Sequence, residues 1–179
     1  MTNKLMIDMA IKEGFADAAV VNTTDIVFDA SFLAYCEENL CGQFGANHSC
    51  PPSCGTPEDM KQKILNYNRA LVLQTVWEIS DYQDNSLISA AKRNHRDYTF
   101  GLIEKLEQHG YQGFMVGASF CSLCAPCAIT EGKPCTFPQR QYSCMSAYCI
   151  YVKDLADKCG MTYTYKNGVL PLFSMYVFD

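Results

Sequence analysis

Eleven cysteines in 179 residues constrain this chain more than any other feature, because eight of them fall in two short groups. In GASFCSLCAPCAITEGKPCTFP, two residues separate Cys121 from Cys124 and Cys124 from Cys127, and Cys135 follows after seven more. In CEENLCGQFGANHSCPPSCG, four, eight and three residues separate Cys36, Cys41, Cys50 and Cys54. Gly42, Gly45, Pro51, Pro52 and Gly55 in one stretch, and Pro126, Gly132 and Pro134 in the other, favour irregular loops over helix or strand. Eleven thiols cannot all pair, and a chain this long buries a core without covalent staples. The N-terminal MTNKLMIDMAIKEGFADAAVV is broken by Lys4, Asp8, Lys12, Glu13 and Asp17. It lacks the apolar stretch of a signal peptide or membrane anchor, so a cytoplasmic location is expected. In that reducing compartment clustered cysteines point to metal or redox chemistry.

The C-x2-C-x2-C run is the ligand run of bacterial 4Fe-4S sites, where a more distant Cys completes the set. Cys121, Cys124, Cys127 and Cys135 are therefore expected to hold one 4Fe-4S cluster. Zinc sites more often show separated C-x2-C pairs, and zinc stays open as an alternative or substitute metal. Cys36, Cys41, Cys50 and Cys54 are expected to hold a second cluster, since an irregular loop so rich in thiols needs something to fold around. Cys50-Pro51 matches the Cys-Pro pair of bacterial ferredoxins. The plainer alternative makes one or two of these four ordinary buried thiols. His48 could replace a thiol but, between Asn47 and Ser49, reads as a solvated loop residue. Cys144 and Cys159 share a helical stripe with Tyr148, Val152 and Leu155 and read as core packing, with Cys149 an incidental small residue beside it.

Apolar runs over 16 to 21, 69 to 77 and 113 to 119 predict strands, the last ending where the second thiol group begins. Thr56, Pro57 and Asp59 start a helix over about 57 to 67. Leu87, Ala91, Tyr98, Leu102 and Leu106 keep helical spacing from Asn85 to His109, with Gly110 as the stop. A third helix is predicted over roughly 143 to 159, then terminal strands around a turn at Asn167-Gly168. The expected fold is α/β: a single domain over 1–179, with a mainly parallel or mixed sheet, flanking helices and two Cys-rich metal-binding loops.

The motifs CxxxxCGxFG, CPPSCGTPED, GASFCSLCAPCA, PCTFP and SAYCIYV together resemble a domain-of-unknown-function family described as predicted metal-binding proteins, common in anaerobic bacteria and archaea. The resemblance covers most of the chain and implies iron-sulfur or other metal binding, with no reaction named. In that family the later motif runs Cys-Arg-x-Pro and then Ser-Met-Glu-Ala-x-Gly-Ile-Asp-Val. Here Thr136 stands for the Arg, Ser146 for the Glu, Cys149 for the Gly and Tyr151 for the Asp, while the expected thiols are all present.

A net charge of −5 without a Lys/Arg cluster argues against nucleic acid as partner. The uncharged run from Gly110 to Thr130 contains three glycines, Pro126 and three cysteines, a poor membrane span. No G-x-S-x-G elbow, P-loop or G-x-G-x-x-G after a strand occurs. The leading expectation is an electron-transfer or redox accessory protein with a redox partner protein. The alternatives are a zinc-stabilised structural or adaptor protein, or an enzyme using an open-coordination iron-sulfur cluster.

Overall fold

Caps set where the helices begin and end. The computed structural model describes residues 2–166 and 168–179. Helix α1 (Asn3–Glu13) starts where the Thr2 hydroxyl accepts the Leu5 N–H and stops at Gly14, whose φ of 110° suits glycine. Strand β1 (Asp17–Asn22) follows, then the short helix α2 (Leu33–Glu37), which carries Cys36. Helix α3 (Pro57–Leu65) opens with a capping box between Thr56 and Asp59. Strand β2 (Arg69–Glu78) leads to α4 (Asn85–Gln108), capped by the Asp84 carboxylate. Strand β3 (Gly113–Gly117), the two-residue β4 (Ser143–Cys144), α5 (Val152–Cys159) and β5 (Val169–Phe178) complete the order.

The strands form one open sheet in the order β1-β2-β5-β3-β4. Only β3 and β4 run parallel; β5 enters between β2 and β3, antiparallel to both. Of the two sheets the sequence leaves open, the mixed one forms, and the fold is α/β. Side chains alternate across the pleat. Ala70, Val72, Met175 and Val177 face a core with Met60 and Ile64 of α3 and Leu155 and Ala156 of α5. Leu71, Leu73, Tyr176 and Phe178 face the other, with Met6 and Ala10 of α1 and Leu102 and Leu106 of α4. Helices thus cover both faces, which is why β2 and β5 are apolar without alternation although their pairing is antiparallel.

Two expectations change. The helix predicted over 143 to 159 exists only as α5. Ser143 and Cys144 instead pair with Val116 and Gly117, the Met145 N–H donates to the Gly117 carbonyl at 3.1 Å, and Cys149 takes a φ of 53° that no helix tolerates. The stripe is indeed packed against the core, but a single irregular turn over 145–149 produces its first part. The second change is at the C-terminus, where Asn167 of the expected turn lies outside the described residues. Met161 to Tyr165 form no strand: the Thr162 carbonyl accepts from the Gln74 side chain at 2.6 Å, while Lys166 makes an isolated bridge to Val169.

Candidate metal centre

Both thiol groups gather where β3 and β4 end. Gly117 closes β3, and a Cβ there would stand 2.6 Å from the Tyr142 ring, so glycine lets the Tyr142 segment pack against the strand. Ala118, Ser119 and Phe120 follow and line a cavity of about 240 Å³ with Cys36, Cys41, Cys50 and Cys144. Tyr35, Leu40, Phe44 and Pro51 supply apolar wall, and Lys92 of α4 brings a positive charge. Cys36 comes from α2, Cys41 and Cys50 from the loop after it, and Cys144 from β4. Cys54, expected with the first three, lies outside this lining; its thiol points to the Gly55 carbonyl at a weak 3.9 Å.

Burial, reinforced by the neighbouring Cys144, pushes the thiols of Cys36 and Cys50 up to about 12 and that of Cys54 up to about 11. These sulfurs lose their protons readily only beside a cation that compensates for lost hydration. Cys144 is itself raised by burial. It belongs among these thiols rather than in a helix stripe, because β-pairing with Gly117 turns the chain there toward the cavity.

The second group is a separate loop pinned at its start. Arg96 of α4 donates to the Ser122 carbonyl at 3.2 Å and hydroxyl at 2.8 Å, and the Ser122 N–H donates to the Tyr142 hydroxyl at 3.2 Å. Cys121 is buried, and burial, with Cys135 and Cys124 adding negative charge nearby, raises its pKa. Cys127 turns toward the first loop, where its sulfur accepts the His48 N–H at 3.5 Å. The His48 ring, partly exposed as expected of a loop residue, is tied to the Lys133 carbonyl at 2.8 Å and so also bridges the two loops.

A buried polar clamp joins the two groups. The Asn47 amide donates to the Cys121 carbonyl at 2.9 Å, and the Cys121 N–H donates to the Ser49 hydroxyl at 3.2 Å. Ser49 in turn donates to the Asn47 side-chain oxygen through its N–H and its hydroxyl. Asn47 and Ser49 carry no sequence signal of this role, since their partners lie more than seventy residues away. The displacement of Cys144 did have one: Cys149 occupies a position filled by glycine in the family the sequence resembles, and glycine marks the left-handed backbone found there.

A family described as predicted metal-binding protein (DUF2284) matches residues 19–178. The chain belongs to this family. No curated protein and no solved structure matches it. For a member of a predicted metal-binding family the donor chemistry fits: all eleven cysteines are free, and soft thiols line the cavity with no carboxylate or imidazole among them. Among the described residues no three His, Cys, Asp or Glu side chains converge closely enough to hold a metal ion as they stand. A tetrahedral zinc with bonds of about 2.3 Å would therefore need the loops to draw inward, whereas the thiols now stand around a cavity rather than a point.

Proposed function

We propose that this member of the metal-binding family is an iron-sulfur protein whose two thiol groups hold adjacent clusters and which exchanges single electrons with a redox partner protein. One observation carries the reading: hydrogen bonds of the Asn47 and Ser49 side chains tie the residues just before Cys50 to the backbone of Cys121, the first residue of the C-x2-C-x2-C run. Two redox groups held by neighbouring, hydrogen-bonded loops suit electron passage between them. When bound, an iron-sulfur cluster supplies one-electron redox chemistry without consuming a substrate.

The chain's own residues would do three things. Cys121, Cys124, Cys127 and Cys135 would ligate one cluster, and the thiols of the first group another. Phe44 and Phe120 would keep water from the first site, lowering the local dielectric that tunes a cluster's potential. Exposed Cys41 and the largely exposed Tyr35 and Leu40 mark the side on which that site meets solvent and a partner. The excess of acidic residues would steer a basic partner surface.

Strictly anaerobic purification, followed by iron, sulfide and zinc analysis and electron paramagnetic resonance, tests the reading. Iron and acid-labile sulfide with two distinguishable reduced-state signals are expected. Zinc without sulfide would replace it with the structural or adaptor reading.

A further inference from the structure

Spacing in the sequence assigns Cys54 to the first group, but the cavity selects a different fourth thiol. Resting on the metal-thiolate reading above, we propose that Cys144, and not Cys54, is the fourth protein ligand of the first centre, beside Cys36, Cys41 and Cys50. Those four sulfur-bearing residues line the cavity together. Cys54 does not line it; Cys54 and Cys144 both pack against the core, yet only Cys144 also reaches the cavity.

One further observation agrees. Backbone pairing holds Cys144 opposite Gly117, directly before the Ala118-Ser119-Phe120 segment that forms the facing wall. The division of labour is physical. Three thiols ride on a short helix and an irregular loop, while Cys144 sits on a strand of the sheet, so one ligand is fixed before loading and the other three close upon it. Pre-positioning one ligand lowers the ordering cost of binding.

The test compares wild type, Cys144→Ala, Cys144→Ser, Cys54→Ala and Cys124→Ser, each purified anaerobically and reconstituted with ferrous iron and sulfide. Both Cys144 variants should lose one centre's worth of iron and sulfide and one paramagnetic signal. The signal they keep should be the one that Cys124→Ser loses, which also shows that they are folded. Cys54→Ala should keep both signals. Full metal content and an unchanged spectrum in Cys144→Ala overturn the assignment, as does loss of the first signal in Cys54→Ala alone. A second measurement needs no variant: in the wild type, iodoacetamide labelling before and after loading should show Cys144 becoming shielded together with Cys36, Cys41 and Cys50. A labelling rate at Cys144 that loading does not change overturns the assignment even if the variants misfold. A wild type that binds no metal on thiolates sinks the underlying reading instead, a result distinct from a loaded wild type with an indifferent Cys144.

Discussion

His95 is fully buried on α4, its Nδ1 sharing a 2.7 Å hydrogen bond with the Thr75 hydroxyl and its ring set edge-on to Phe15. Its Nε2 has no hydrogen-bond partner among the described residues, and burial lowers its pKa from 6.5 to about 3. Below about pH 6.5 the unfolded chain therefore takes up a proton that the folded protein refuses. Stability should fall as pH drops from 6.5 toward about 3, by about 1.4 kcal/mol per unit within that window. Denaturant titrations at pH 7 and pH 5 should differ by about 2 kcal/mol; a flat profile would show that His95 is not held neutral. Asp59 and Asp84, whose cap hydrogen bonds lower them from 3.8, act mainly below that value and so add only at the acid end of the window, leaving the comparison of pH 7 with pH 5 to His95. Among the thiols, half-buried Cys159 is far from both loops in role. Cys159→Ala should cost about 1 kcal/mol of stability and no metal, whereas Cys121→Ser should lower iron and sulfide by one centre, as elemental analysis of the two variants will show.

The second Cys loop is an element without regular structure, so its order depends on its fastenings. Arg96, with only 19% of its side chain exposed, holds Ser122 from α4. Arg96→Ala should loosen residues 121–135 by about 1 kcal/mol, or about fivefold faster amide exchange, with α4 itself unchanged. Exchange that rises equally along α4 would mean that Arg96 supports the helix instead. The Asn47 clamp is stronger because it is buried at 3% exposure and leaves several polar groups unpaired when cut. Asn47→Ala should cost about 1–3 kcal/mol in thermal or chemical unfolding and loosen both loops together. Helices α3 and α4 were legible in advance because their caps and stripes lie within a few residues of one another. The stretch around Cys144 was not, because its helical spacing coincided with a strand whose pairing partner includes Gly117, then a turn and a later helix.

At the scale of the whole molecule, a sheet covered on both faces carries two loops that have thiols but little regular structure. Removing metal should therefore leave the sheet intact and free residues 36–55 and 121–135, because a site formed on binding contributes its binding energy to the order of its own loops. Hydrogen exchange with and without chelator measures this, and equal protection of the loops in both states would count against it. Among the described residues no helix is long and apolar enough to cross a membrane, which agrees with the reading of Gly110 to Thr130 as strand and loop. The sequence by itself determined what depends on near neighbours: the two thiol groups, the caps of α3 and α4, the strands over β1, β2 and β3, and an α/β class. Tertiary structure alone decided that β5 enters between β2 and β3, that Asn47 and Ser49 join the two loops, and that Cys144 rather than Cys54 lines the cavity. Spacing along a chain records only which residues can meet within a turn or a strand. Which distant segments meet is set by the sheet order that buries the most apolar surface, and here that order carried a thiol from the far end of the chain to the first loop.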